Sequence, residues 1–266
     1  RQSITDDTGF RRMTLYIFDG TFDGLLTAVF DAYARRCFPD VLVREGEVLP
    51  MFYDDSFEVI TDEEKSGRVW RAIEKKLSRE ALSAVVASFL CEIPDYDTVL
   101  FRYLRKTIDS PVSIETDFSD PDVVEMTRMV RRVRGEAQRV KQFVRFQKAA
   151  DGSYFGIIEP LYNVLALAVP HFVDRFSTMK FLLYDKRRGF GCYYDGKVTR
   201  HVTLQEELPH IATGRLAPEM MDKDELLLQD MWRTYFKAIA IKERSNPRKQ
   251  RQDMPVRFWK YLTEKQ

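Results

Sequence analysis

The 266-residue chain holds only three histidines, His171, His201 and His210, and none is paired at the i, i+4 spacing by which a helix presents two imidazoles to zinc. His171 has chemical company. It follows Pro170, and Asp174 and Arg175 lie within one turn of it, a spacing that can bring imidazole, carboxylate and guanidinium to one site for proton transfer. Glu136, set among cations, is the third candidate acid or base. The plainer alternative is that His171 packs as a structural helix residue. A GxSxG nucleophile elbow, a phosphate-binding P-loop and the CxxxCxxC trio of a radical-SAM cluster are all absent from the sequence. Cys37, Cys91 and Cys192 stand singly, forming neither a CxxC metal clip nor an even-numbered disulfide set. They fit core thiols and predict a reducing, cytoplasmic home. No metal and no cofactor is implied.

Charge points to a different chemistry. Lys and Arg number 15 against 25 Asp and Glu from Arg1 to Glu125, and 27 against 16 from Met126 to Gln266, so a net +1 conceals an acidic and a basic half. A basic half favours phosphate-bearing partners, although the same asymmetry would also hold the two halves together. Arg128, Arg132 and Arg139 share the face of a helical pattern opposite its apolar stripe. Arg131, Arg134, Lys141, Arg145 and Lys148 add to them, with only Glu136 as local countercharge. Such a ridge reads as a nucleic-acid backbone contact or as a solvated face. Near the end, Lys242, Arg244, Arg248, Lys249 and Arg251 precede Phe258, Trp259 and Tyr261, and cations beside flat rings suit single-stranded or flipped nucleotides. The alternative there is a basic linker before aromatics that close the core. Asp19-Gly20-Thr21-Phe22-Asp23-Gly24 is either a turn with Asp19 or Thr21 as helix cap, or a divalent-metal or partner-docking site built on Asp19 and Asp23.

Elements must position these groups. Met13–Phe18 reads as a strand leading into a helix that carries Leu25, Leu26, Val29, Phe30 and Tyr33. Ser56–Ile60 is a second strand, and Thr61 with Glu64 forms a capping box for the next helix. Helices follow at Ala81–Leu90 and Thr98–Ile108. Pro111 and Pro121 punctuate the chain close to the change of charge sign. Val123, Met126, Val130, Val133, Ala137, Val140 and Val144 alternate spacings of three and four, which predicts one long amphipathic helix. Runs at Gln142–Gln147 and Tyr154–Ile158 flank a hairpin signal at Ala149–Ser153, and Glu159-Pro160 opens a helix disturbed by Pro170. Strands are predicted at Met179–Tyr184, Phe190–Tyr194 and Val198–Thr203, a long helix at Leu226–Ile241 and a short one at Pro255–Leu262. The order predicts an α+β fold: an N-terminal α/β portion over 13–118, then a helix-rich basic portion around a small antiparallel sheet over 119–266. Residues 1–12 read as a remnant ahead of a natural start at Met13. The longest apolar run, Val164–Val169, is far too short for a membrane span.

Several strings in this order resemble one family. YIFDGTFDGLLTAVFDAY, EAQRVKQFVRF, YFGIIEPLYNVLALAVPHFVDRF, LLYDKRRGFGCYYDGK and ERSNPRKQRQDMPVRFWKYLTE are similar to the bacterial proteins known as probable DNA metabolism proteins, a domain of unknown function. The resemblance implies a gene neighbour that is a radical-SAM protein of DNA modification or repair, and relatives fused to uracil-DNA-glycosylase-like domains. The family pattern falls on Asp19, Gly20, Asp23, Gly24, Glu136, Arg139, Phe143, Arg145, Phe146, His171, Phe172, Arg175 and Phe176. It continues on Asp185, Arg188, Tyr194, Glu243, Arg244, Asn246, Gln250, Met254, Pro255 and Trp259. The chain departs from it at Gln138 and Gln142, where the family carries His and Gly. The leading expectation is therefore a DNA-metabolism accessory that binds DNA, single-stranded or damaged, beside a radical-SAM enzyme. One alternative is a hydrolytic or glycosylase-like enzyme using Glu136, His171 or Asp174, with Arg139, Arg188 and Arg244 on phosphate. The other is a protein-only adaptor.

Overall fold

A computed structural model describes residues 12–93, 95–203, 213–239 and 246–265. The expectations on Arg244, Lys242, Glu243 and His210 lie outside these residues. The chain forms two compact units that divide between Val133 and Arg134. No helix among the described residues is long and apolar enough to cross a membrane.

In the first unit, β1 (Thr14–Phe18) is the centre of a three-stranded sheet, with β2 (Val41–Arg44) and β3 (Asp55–Glu58) parallel to it on either side. β1 is apolar on both faces and buried, as a central parallel strand requires. The short strand β2 was not expected from the sequence. Helices α1 (Phe22–Arg35), α2 (Glu63–Glu74), α3 (Arg79–Phe89) and α4 (Tyr96–Asp109) supply Leu25, Val29, Ile73, Val85, Leu100 and Leu104 to the core with Leu15 and Phe18. One expected cap is corrected. Asp62, not Thr61, caps α2 by accepting a hydrogen bond from Lys65 N at 3.0 Å, because the Thr61 hydroxyl donates to Asp19 instead, at 2.7 Å.

Helix α5 (Pro121–Phe143) contains the expected stripe: Val123, Met126, Val130, Val133, Ala137 and Val140 are all buried, while Arg128 and Arg132 are exposed. The expected strand at Gln142–Gln147 is mostly absent. The stripe's helical period carries the chain through Phe143, leaving β4 (Gln147–Lys148) as a two-residue strand.

The second unit holds a five-stranded sheet, β4-β5-β6-β7-β8, built from β5 (Tyr154–Ile158), β6 (Phe181–Asp185), β7 (Phe190–Tyr194) and β8 (Thr199–Thr203). Three of its pairings are antiparallel. The exception is β5 with β6, which are parallel in the register Tyr154↔Phe181 to Ile158↔Asp185, because helix α6 (Leu165–Arg175) returns the chain between them. Pro170 lies inside α6 without ending it. Phe146 meets Phe172, Phe176 and Phe181 edge to face between α6 and the sheet. A Cβ on Gly191 would stand 2.8 Å from the Leu183 carbonyl, so β7 approaches β6 as closely as glycine allows. Helices α7 (Glu225–Ile239) and α8 (Pro247–Asp253) and a 3-10 turn at Val256–Tyr261 complete the unit.

At the start of α5, Asp122 is buried against Arg102 (2.7 Å) and Lys106 (2.7 Å). Burial alone would raise its carboxyl, but hydrogen bonds from the two cations outweigh that and hold it below the ordinary value. A depressed carboxyl contributes stability above its unfolded pKa, about 3.9, that is lost as pH falls through the folded one. Asp122→Asn should therefore cost on the order of 1 kcal/mol at pH 7, since both cations are partly exposed. It should cost less at pH 3, and equal losses in urea melts at the two pH values would contradict the assignment.

Candidate functional site

The segment Glu159-Pro160-Leu161-Tyr162-Asn163 links β5 to α6 as a strap rather than the helical start expected at Pro160. Its backbone groups have no strand or helix to satisfy them, so other partners must. Leu161 N donates to Glu136 Oε1 at 2.9 Å. The Pro160 and Leu161 carbonyls accept from Arg188 Nη1 and Nη2, both at 3.3 Å, and Leu161 O accepts also from Arg187 Nη1 at 3.1 Å. The Glu159 carboxylate accepts from Lys260 Nζ and from Tyr261 Oη, the latter at 2.9 Å. Burial would raise the Glu159 carboxyl, but these two donors reverse the sign and lower it.

Two buried acids organise the donors. Glu136, 0% exposed on α5, receives Arg257 Nη2 at 2.5 Å and Arg139 Nη1 at 3.5 Å on its Oε2. Asp185, the last residue of β6 and also 0% exposed, accepts from Arg187 N at 3.0 Å, Arg188 N at 3.3 Å and Arg188 Nη1 at 2.8 Å. Gly189 closes this turn at φ +73, a left-handed conformation that suits glycine. Burial dominates at Asp185 and raises its carboxyl in spite of Arg188.

The two signs of charge are therefore layered. Glu136 and Asp185 lie beneath the surface, whereas the side chains of Arg139 (41% exposed) and Arg257 (31%) reach solvent, Arg187 is exposed, and Lys260 (53%) pairs with the partly exposed Glu159 (34%). Arg257 Nε is buried with no hydrogen-bond partner, the only such side-chain nitrogen or oxygen among the described residues. An outward-facing cationic surface around a fixed strap can bind oxyanions by charge-assisted hydrogen bonds.

The structure brings Glu136, Arg139 and Arg188 of the expected site residues to this surface, in different roles. Glu136 has no exposed surface from which to reach a substrate. Arg188, 11% exposed, clamps the strap. Arg145 is held by Glu264 at 2.6 Å, and Trp259 Nε1 donates to the Met254 carbonyl at 3.0 Å. Arg248 is exposed, and Lys249 pairs with Asp253 along α8 at 2.9 Å. His171 is half-buried, edge-on to Phe172, and Asp174 is exposed on the next turn. In the first unit, Arg132 is exposed and Arg128 pairs with Glu125 at 3.1 Å. Arg187, Arg257, Lys260, Asp185 and Glu159 were missed as site residues. The LLYDKRRGF string was the available signal for the first and fourth.

The β1–α1 turn is a cap. Thr21 Oγ1 accepts from Gly24 N at 2.9 Å, and Asp19 accepts from Thr21 N, Thr21 Oγ1 and Thr61 Oγ1. Burial would raise the Asp19 carboxyl, but the threonine donors outweigh it and lower it. Asp23 accepts from Ser66 Oγ at 2.8 Å. Among the described residues, no group of three or more His, Cys, Asp or Glu is arranged to hold a metal ion.

The family model described as Domain of unknown function (DUF4130) matches residues 94–264. No curated protein and no solved structure matches the chain.

If Glu136 is the buried counterion of this surface, Glu136→Ala should destabilise by about 2 kcal/mol, since it leaves the Leu161 amide and the partly buried Arg257 guanidinium without their acceptor. Arg139→Ala, at a partly exposed position, should stay within about 0.5 kcal/mol. Urea melts of both variants check this, and an unchanged midpoint for Glu136→Ala would refute it.

Proposed function

The chain belongs to the DUF4130 family of domains of unknown function, and we propose that its second unit binds the sugar-phosphate backbone of DNA. The observation that carries the reading is the layering of charge at the strap: Glu136 is fully buried, and the side chains of Arg139 and Arg257 that pair with it reach solvent. Lys and Arg number 24 against 16 Asp and Glu from Arg134 to Gln266, a net +8, so the local surface sits in a field that attracts polyanions. Backbone contacts of this kind position a nucleic acid without reading its sequence.

In this reading the protein is an accessory of DNA modification or repair. The resemblance noted above supports a radical-SAM enzyme as its partner, and the absence of CxxxCxxC leaves the cluster chemistry to that partner. Co-elution of the two purified proteins on a sizing column supports the partnership; separate elution with and without DNA argues against it.

Direct binding has its own test. Fluorescence anisotropy with a single-stranded oligodeoxynucleotide should give a log–log salt slope of about −0.7 per phosphate neutralised. Replacing both Arg139 and Arg187 by Ala should reduce the slope by about 1.4. Failure to bind at low salt, or a salt-independent affinity, would overturn the reading.

A further inference from the structure

At the opposite end of the β5–β6 pair from the strap, the sheet opens into an aromatic pocket. The strap follows the Ile158↔Asp185 pair, whereas the pocket lies at the Tyr154↔Phe181 pair, about 13 Å away at the usual strand rise. Phe146, Tyr154, Phe176, Met179 and Phe181 line a cavity of about 130 Å³. An apolar cavity of about 150 Å³ accommodates benzene, so this slightly smaller one takes the inserted edge of a single six-membered ring, with the rest of the ring at its mouth. Phe181 is buried, and Phe146 meets it at 5.6 Å and Phe176 at 5.7 Å between centroids, both edge to face. Met179 is partly exposed, so the pocket is open on that side.

We infer that this pocket holds one unstacked pyrimidine base of a DNA single strand, with thymine preferred. The lining is almost wholly apolar, which excludes entry by an edge whose carbonyl and imide groups would lose their hydrogen bonds. A pyrimidine has one apolar edge, C5–C6. Entering by that edge, it leaves O2, N3 and O4 in water at the mouth and, in thymine, buries the C5 methyl. The exposed Arg175 guanidinium stands 5.8 Å from the Phe176 ring centroid, a planar cation beside an aromatic platform, although its neighbour Asp174 is also exposed. The net positive charge of the unit favours a polyanion over a neutral peptide as carrier of the ring. The occupant rests on the DNA-binding reading above; the pocket itself does not.

The test uses the full chain with ¹³C-methyl methionine, following the Met179 methyl signal by NMR and assigning it through its loss in Met179→Trp. An octamer of thymidylate should move that signal by ring current, and a deoxyuridylate octamer should bind about fourfold more weakly, the effect of one buried methyl group. Met179→Trp, which fills the mouth from a partly exposed position, should reduce thymidylate affinity to that of an abasic octamer. If thymidylate binds but the Met179 signal stays still and Met179→Trp changes nothing, the pocket inference falls and backbone binding stands. If N-acetylphenylalaninamide moves the signal and thymidylate does not, a protein side chain is the true occupant and the inference is overturned. If no octamer binds at any salt, the DNA-binding reading and its base pocket fall together.

Discussion

The carboxylate of Glu136 is the interaction on which the second unit's surface depends. A carboxylate with no exposure is tolerated only when paired and hydrogen-bonded, and each of its partners belongs to a different segment: Leu161 in the strap, Arg139 on its own helix, Arg257 in the 3-10 turn at Val256–Tyr261. Asp185 performs the same office from the end of β6. With both acids below, the outer ends of Arg139 and Arg257 and the exposed Arg187 are what solvent meets. The strap between them is fixed from both sides, by Arg187 and Arg188 on its carbonyls and by Lys260 and Tyr261 on Glu159. A surface made rigid in this way loses little conformational freedom when it binds an anion.

The β1–α1 turn of the first unit meets the same requirement by the opposite route. Its helix N-terminus is satisfied from within: Thr21 Oγ1 accepts from Gly24 N, and Asp19 accepts from Thr21 N and from the Thr21 and Thr61 hydroxyls. Gly24 has no room for a Cβ beside that carboxylate. Two acidic residues that could suggest a cation or docking site are thereby engaged in holding β1, α1 and the start of α2.

Local periodicity carried much of the fold into view. The alternating threes and fours of Val123 to Val140 require one helix, and the turn at Ala149–Ser153 requires a hairpin; both are present. What periodicity could not carry was contact between distant residues. Pro160 resembles a helix start by local rules, yet Glu136, 25 residues before Leu161, and Arg188, 27 after it, keep the strap extended. Likewise, nothing near Arg257 in sequence shows that its partner lies 121 residues away. The site was half legible for the same reason. Glu136, Arg139 and Arg188 were singled out by charge and family pattern, but which would be buried and which would face solvent is decided by tertiary packing alone. β2 escaped because Val41-Leu42-Val43 is an apolar run without alternation, too short to be told from a turn of buried helix.

The central claim is that the buried Glu136 and the strap's Leu161 carbonyl hold a defined set of guanidinium groups toward a phosphate backbone. Side-chain ¹⁵N–¹H spectra of the arginines, recorded while a single-stranded oligodeoxynucleotide is added, address it directly. The account requires the Arg139, Arg187 and Arg257 signals to move together and saturate at one affinity, while Arg188, enclosed against Asp185, stays in place. Movement confined to arginines away from the strap, with those three unchanged at saturation, would contradict it.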